Sequence, residues 1–164
     1  MSRSPRLTQE QLDAIQGKPN PKAPLVVLRG GGWHWTRKPA DEDDVERACL
    51  TIADWYRWGA LADLAPRGRQ VLPAEEHARA VRIAIEEVRA RGLVGLYYRT
   101  SAKARSRNAL GTPDYHFARI DGGVIGVEFK GPNTPTRVNQ AILAELGASI
   151  IIGPDDLDRF VEML

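Results

Sequence analysis

The stretch GTPDYHFARIDGGVIGVEFKGP, residues 111–132, constrains the fold of this chain more than any other. Two runs in which apolar and polar residues alternate, 113–120 and 124–130, are joined by Asp121-Gly122-Gly123. Alternation with a period of two marks a strand with one buried face, and a glycine-rich turn this short closes an antiparallel hairpin. The hairpin needs a larger sheet and a covering layer, and its flanks supply both. AEEHARAVRIAIEEVRARG (74–92) sets Ala78, Val81, Ile85 and Val88 at helical spacing and stops at Gly92. LVGLYYRT (93–100) is a strand. In TPTRVNQAILAELG (134–147), Thr134 is a candidate N-cap and Pro135 fits the first helical position. ASIIIG (148–153) is a short buried strand and PDDLDRFVEML (154–164) a closing amphipathic helix. The order helix, three strands, helix, strand, helix predicts an α/β fold: a mixed sheet flanked by helices.

The N-terminal portion of the chain is harder to read. Residues 1–23 are polar, with three prolines, and are expected to form a flexible arm. Residues 24–70 are expected to add an N-terminal extension. An apolar strand, a glycine turn and a short aromatic strand (GGGWHW) make a hairpin. GGGWHW lacks the spaced lysine and Ser/Thr that a phosphate-cradling loop requires. PADEDDVERACLTIADWYRWGALADL (39–64) reads as one helix, whose acids from Asp41 to Glu46 suit the positive end of the helix dipole. Val45, Cys49, Ile52, Tyr56 and Leu61 fall near one face. Residues 65–73 are the expected connector to a second domain at 71–164. Four tryptophans, Trp33, Trp35, Trp55 and Trp58, are too many for so small an extension to bury alone, so it must pack on the rest of the chain or on another copy. Residues 24–64 are expected to supply a homodimer interface or a second substrate-binding surface, and not a second active site.

Composition excludes several classes. With 43% apolar residues a core can form, and no apolar run approaches the roughly 18 residues of a membrane span. MSRSPRLTQEQ has no apolar stretch of the signal-peptide kind, and the single cysteine, Cys49, suits a reducing compartment, so a cytoplasmic location is expected. The histidines and Cys49 have no zinc-binding spacing. Net charge is only +2, so any polyanion must be met by local charge.

That local charge exists. Between residues 99 and 119 stand Arg99, Lys103, Arg105, Arg107 and Arg119 against one acid, Asp114. The hairpin brings Asp114, at the start of its first strand, to the same sheet edge as Glu128, near the end of its second. Lys130 shares a face with Glu128, and the carbonyl of Phe129 can turn toward the same point. Two carboxylates and a carbonyl are hard oxygen donors suited to Mg²⁺ or Mn²⁺. Such an ion acidifies water and stabilises charge developing on a phosphate. A basic loop beside it would hold a nucleic-acid backbone through Arg99, Lys103, Arg105 and Arg107.

On Pro113-Asp114, Glu128-Phe129-Lys130 and Gln140, with the element order around them, residues 74–164 resemble the PD-(D/E)XK nuclease superfamily, most closely its VRR-NUC branch, akin to Holliday-junction resolvases. The resemblance implies a metal-dependent endonuclease hydrolysing phosphodiesters of DNA, duplex, branched or nicked. It makes Asp114 and Glu128 metal ligands, Lys130 the group that positions water or stabilises charge, and Gln140 an auxiliary site residue. The family also carries a glutamate on its first helix, for which Glu75 and Glu76 compete. The alternative is a nuclease-fold module that has lost catalysis and binds nucleic acid or scaffolds a complex.

Overall fold

The computed structural model describes residues 24–65, 70–100 and 112–164. The expected arm at 1–23, Lys103, Arg105 and Arg107 of the basic loop, and most of the connector's first half lie outside the described residues. The elements are β1 (Val26–Arg29), β2 (Gly32–Trp35), α1 (Glu42–Trp55), β3 (Trp58–Ala60), α2 (Leu61–Leu64), α3 (Ala74–Ala90), β4 (Gly95–Arg99), β5 (Tyr115–Arg119), β6 (Val124–Phe129), α4 (Val138–Glu145), β7 (Ser149–Ile152) and α5 (Leu157–Met163).

Strands β3 to β7 form one mixed sheet in chain order. The two outer pairs are parallel and the two inner pairs antiparallel. The β5–β6 hairpin pairs Tyr115 with Val127 and Phe117 with Ile125. Because side chains alternate across a strand, this register puts Tyr97, Tyr115, Phe117, Val127, Phe129 and Ile152 on one face. That face is the core. Val45, Cys49 and Ile52 of α1, Leu157 and Phe160 of α5, and Val26 and Trp33 of the β1–β2 hairpin close over it. Phe117 meets Trp58 and Phe160 edge-on, at centroid distances of 5.3 and 5.6 Å, a favoured arrangement of aromatic quadrupoles. The opposite face carries Gly126, Glu128 and Ser149, and α4 lies against β7 as the crossover between parallel β6 and β7.

The structure amends the reading of residues 39–64. The single expected helix breaks after Trp55: Arg57 takes a left-handed φ of 63°, Trp58–Ala60 become the edge strand β3, and α2 is one turn. Tyr56 and Leu61, placed on the buried face by periodicity, lie past the end of α1 and are exposed. Tertiary pairing with β4 outweighs helical propensity here. The connector near residue 70 does not divide the chain into separate cores, since α1, β3 and the hairpin pack into the same cluster as β4–β7. Helix α4 begins at Val138 and not at Pro135; its N-terminal Arg137 N–H is taken by the Gln140 side chain at 2.9 Å. Trp33 and Trp58 are buried, Trp35 half-buried and bonded to the Pro154 carbonyl at 2.7 Å, and Trp55 exposed. The tryptophans thus serve mainly the chain's own core.

Candidate functional site

At one end of the central strands a polar cluster interrupts the core. Asp114, Glu128, Lys130 and Gln140 are each between 6% and 8% exposed. Buried charges of this kind persist only where partners compensate their lost hydration. Asp114 enters β5 from Pro113, whose ring lies over Gly126 of the neighbouring strand. A Cβ at Gly126 would stand 2.5 Å from Pro113 Cγ, so only glycine lets the Pro-Asp pair sit there. The Asp114 carboxylate accepts the Phe129 N–H at 3.2 Å, and the Asp114 carbonyl accepts from Thr100 N at 2.8 Å. Lys130 Nζ donates to Glu128 Oε1 at 2.7 Å, and Gln140 Nε2 donates to that same oxygen. Through its oxygen Gln140 also holds the start of α4, so one side chain ties helix to site.

A third carboxylate, on α1, acts on this cluster through its charge. Lys130 is followed by Gly131, where a Cβ would lie 2.7 Å from the Glu42 backbone nitrogen and 3.0 Å from the Asp41 carbonyl carbon. With no side chain there, the N-terminus of α1 sits directly on the end of β6. Asp41 caps that helix by accepting from Asp44 N at 2.9 Å. Asp44 is clamped by Arg37 at 2.7 Å and by Arg47, which fixes the approach angle. Glu42 is thereby set within the field of Asp114 and Lys130. Burial pushes the Glu42 carboxyl up from its ordinary value, Asp114 adds to this, and Lys130 opposes it. Burial likewise raises Glu128; Lys130 opposes, and the charges of Asp114 and Glu42 push further up. Glu75 and Glu76, the acids expected to serve from the first helix, lie exposed in the first turn of α3.

One turn after Glu42, Glu46 accepts from Tyr115 Oη at 2.8 Å and pairs with Arg99 at 3.7 Å. The Arg99 guanidinium lies 5.9 Å above the Tyr115 ring. Arg99 thus stands at the site end of β4, beside the Asp114–Tyr115 step.

The donor types suit a hard divalent cation. Asp114, Glu128 and Lys130 lie at a buried edge with the charge of Glu42 acting on Glu128, and further positive charge there would offset the burial and the like charges that raise Glu128 and Glu42. Among the described residues no three His, Cys, Asp or Glu side chains already form a ligating group, and the Lys130 ammonium is what sits on Glu128. No helix among the described residues is long and apolar enough to cross a membrane. Comparison with protein-family models, curated proteins and solved structures finds no match to this chain.

Proposed function

We propose that this chain is a Mg²⁺- or Mn²⁺-dependent DNA endonuclease with a PD-(D/E)XK-type core. The observation that carries the proposal is the burial of Asp114, Glu128 and Lys130 together at one sheet end, with Gln140 bonded to Glu128 and the charge of Glu42 acting on them. A structural role alone gives no reason to bury Asp114 beside Glu128, whose carboxyl is held above its ordinary value by burial and by the neighbouring acids.

Asp114 and Glu128 would hold the cation with the Phe129 backbone carbonyl, and the Glu42 charge would act on it from the start of α1. When bound, the cation supplies Lewis-acid stabilisation of charge on the phosphate and lowers the pKa of water. The protein's own contribution is positional. Gln140 fixes the Glu128 oxygen that Lys130 also holds, so the carboxylate cannot rotate freely. Lys130, which donates to Glu128, would be placed to bear on a phosphate oxygen or the attacking water. Arg99, aligned by Glu46 and Tyr115, stands ready to grip a neighbouring phosphate.

The test is cleavage of a panel of plasmid, linear and branched DNA with and without Mn²⁺, by wild type and Asp114→Asn. Metal-dependent cutting lost in the variant supports the proposal. Tight DNA binding with no cutting under any metal would favour the non-catalytic module instead.

A further inference from the structure

A chain of contacts runs from the middle of β4 and β5 to Asp114. Tyr98 of β4 lies opposite His116 of β5, and His116 lies opposite Gly126 of β6. Alternate residues of a strand share a face, so Tyr98 and His116 stand on the face that carries Glu128. Their rings stack at a centroid distance of 5.2 Å and an interplanar angle of 12°. The stack fixes the imidazole plane, and His116 Nδ1 meets Thr100 Oγ1 at 3.2 Å. Either tautomer of a neutral imidazole completes this bond, since a hydroxyl both donates and accepts. Thr100 in turn donates its N–H to the Asp114 carbonyl at 2.8 Å. Thr100 follows the last residue of β4 and Asp114 precedes the first of β5, so this bond carries the ladder one step further, to the acid itself.

We propose that Thr100 and His116 are positioning residues for Asp114: their side-chain bond holds Thr100 at the angle from which its N–H fixes the Asp114 backbone. The inference rests on the cation centre proposed above and concerns how one of its ligands is aimed. Asp114 sits at a bend before β5, where regular strand geometry does not yet dictate its angle. The Thr100 N–H holds its carbonyl, and the Phe129 N–H holds its carboxylate. Thr100 itself stands outside β4, so the bond to His116 contributes to its own placement. A shift there turns the Asp114 carbonyl and displaces the carboxylate at the end of the side chain. Hydrogen bonds that orient a metal ligand typically change metal affinity or activity by about tenfold to hundredfold. A purely structural bond would instead affect the stability of the β4–β5 pair and leave cation affinity alone.

The test is calorimetric titration of Mn²⁺ into the full chain, with thermal melting of each variant to show that it folds. Thr100→Val keeps the shape of the side chain and removes the hydroxyl. His116→Phe keeps a flat ring on Tyr98 and removes Nδ1. Each is expected to weaken Mn²⁺ binding by about tenfold or more. Thr100→Ser, which keeps the hydroxyl, recovers most of that loss. The double variant Thr100→Val with His116→Phe binds no more weakly than the poorer single one, because both changes remove the same bond. If His116→Phe does not fold, the comparison of Thr100→Val with Thr100→Ser still decides. Wild-type affinity in Thr100→Val, or losses that add in the double variant, would overturn the positioning role and leave the cation centre standing. A wild type that binds no Mn²⁺ would overturn the cation centre and the positioning role with it.

Discussion

Helices α1 and α3 look alike in sequence and meet opposite fates. Each opens with acids in its first turn and repeats apolar residues at helical spacing. Six residues of α1 are buried, Asp44, Val45, Ala48, Cys49, Ile52 and Ala53, whereas α3 buries only Val88. The difference lies outside both helices. Small Ala48, Cys49 and Ala53 let α1 lie close on the aromatic sheet face, and Gly131 leaves room for its N-terminus at the end of β6. With that face taken, α3 is left on the periphery. Periodicity specifies that a helix has an apolar side; it does not specify what that side meets. The same lesson holds for the acids. Glu42 of α1 is brought near the site where Gly131, just past β6, leaves room for the helix start, and the acids of α3 remain at a solvated helix start.

The sharpest way to break this comparison is to neutralise the acids of each helix. Glu42→Gln is expected to lower cleavage about a hundredfold or more, the scale of losing one charged group at a reaction centre. Glu75→Gln combined with Glu76→Gln should leave it within about twofold. Equal losses would return the first-helix acid to α3. Gly131→Ala should lower cleavage by about tenfold or more without touching any charged side chain, since the new methyl forces α1 off β6.

Next in size is stability. Ile52 is fully buried, and Ile52→Ala should cost about 2–5 kcal/mol. For a domain of this size that lowers Tm by roughly 5–15 °C. Ile85→Ala should cost under about 1 kcal/mol. Calorimetry of the two variants checks both values, and similar losses would mean that α3 is packed as deeply as α1.

The smallest effect is the pH dependence. Because Glu128 and Glu42 hold protons more tightly in the folded protein than the ordinary value of 4.5, stability is full below that value. It falls as pH rises through the raised folded values. Glu128→Gln should flatten this fall in the presence of a chelator. Asp44 acts in a separate window. Burial raises its pKa, but Arg37, the Ala40 N–H and Arg47 outweigh this and hold it at about 2, so its contribution is lost as pH falls below 3.8. Denaturation midpoints across pH for wild type and Glu128→Gln test the sign, and an unchanged slope above 4.5 would contradict it.

Much of the fold was legible in the sequence because its signals are local. The Asp121-Gly122-Gly123 turn and the alternation on either side define β5 and β6, and these two strands carry Asp114, Glu128 and Lys130 to one end. Gln140 could be placed on the following helix, and α4 delivers it to Glu128. Glu42 was not legible. Its acids have a sufficient local explanation in the helix dipole, and the contact that turns Glu42 toward the site depends on Gly131, distant in sequence. Strand β3 was missed for a related reason: WGA becomes a strand only because β4 is there to pair with it.

The central claim is that Asp114, Glu128 and Glu42 form one cation-binding centre at the end of β6. Isothermal titration of Mn²⁺ into the full chain tests it most directly, with Asp114→Asn, Glu42→Gln and Glu75→Gln as comparisons. Saturable binding to wild type and Glu75→Gln, lost in Asp114→Asn and weakened about tenfold or more in Glu42→Gln, is the expected result. Binding that survives Asp114→Asn unchanged, or that is lost in Glu75→Gln and kept in Glu42→Gln, would contradict it.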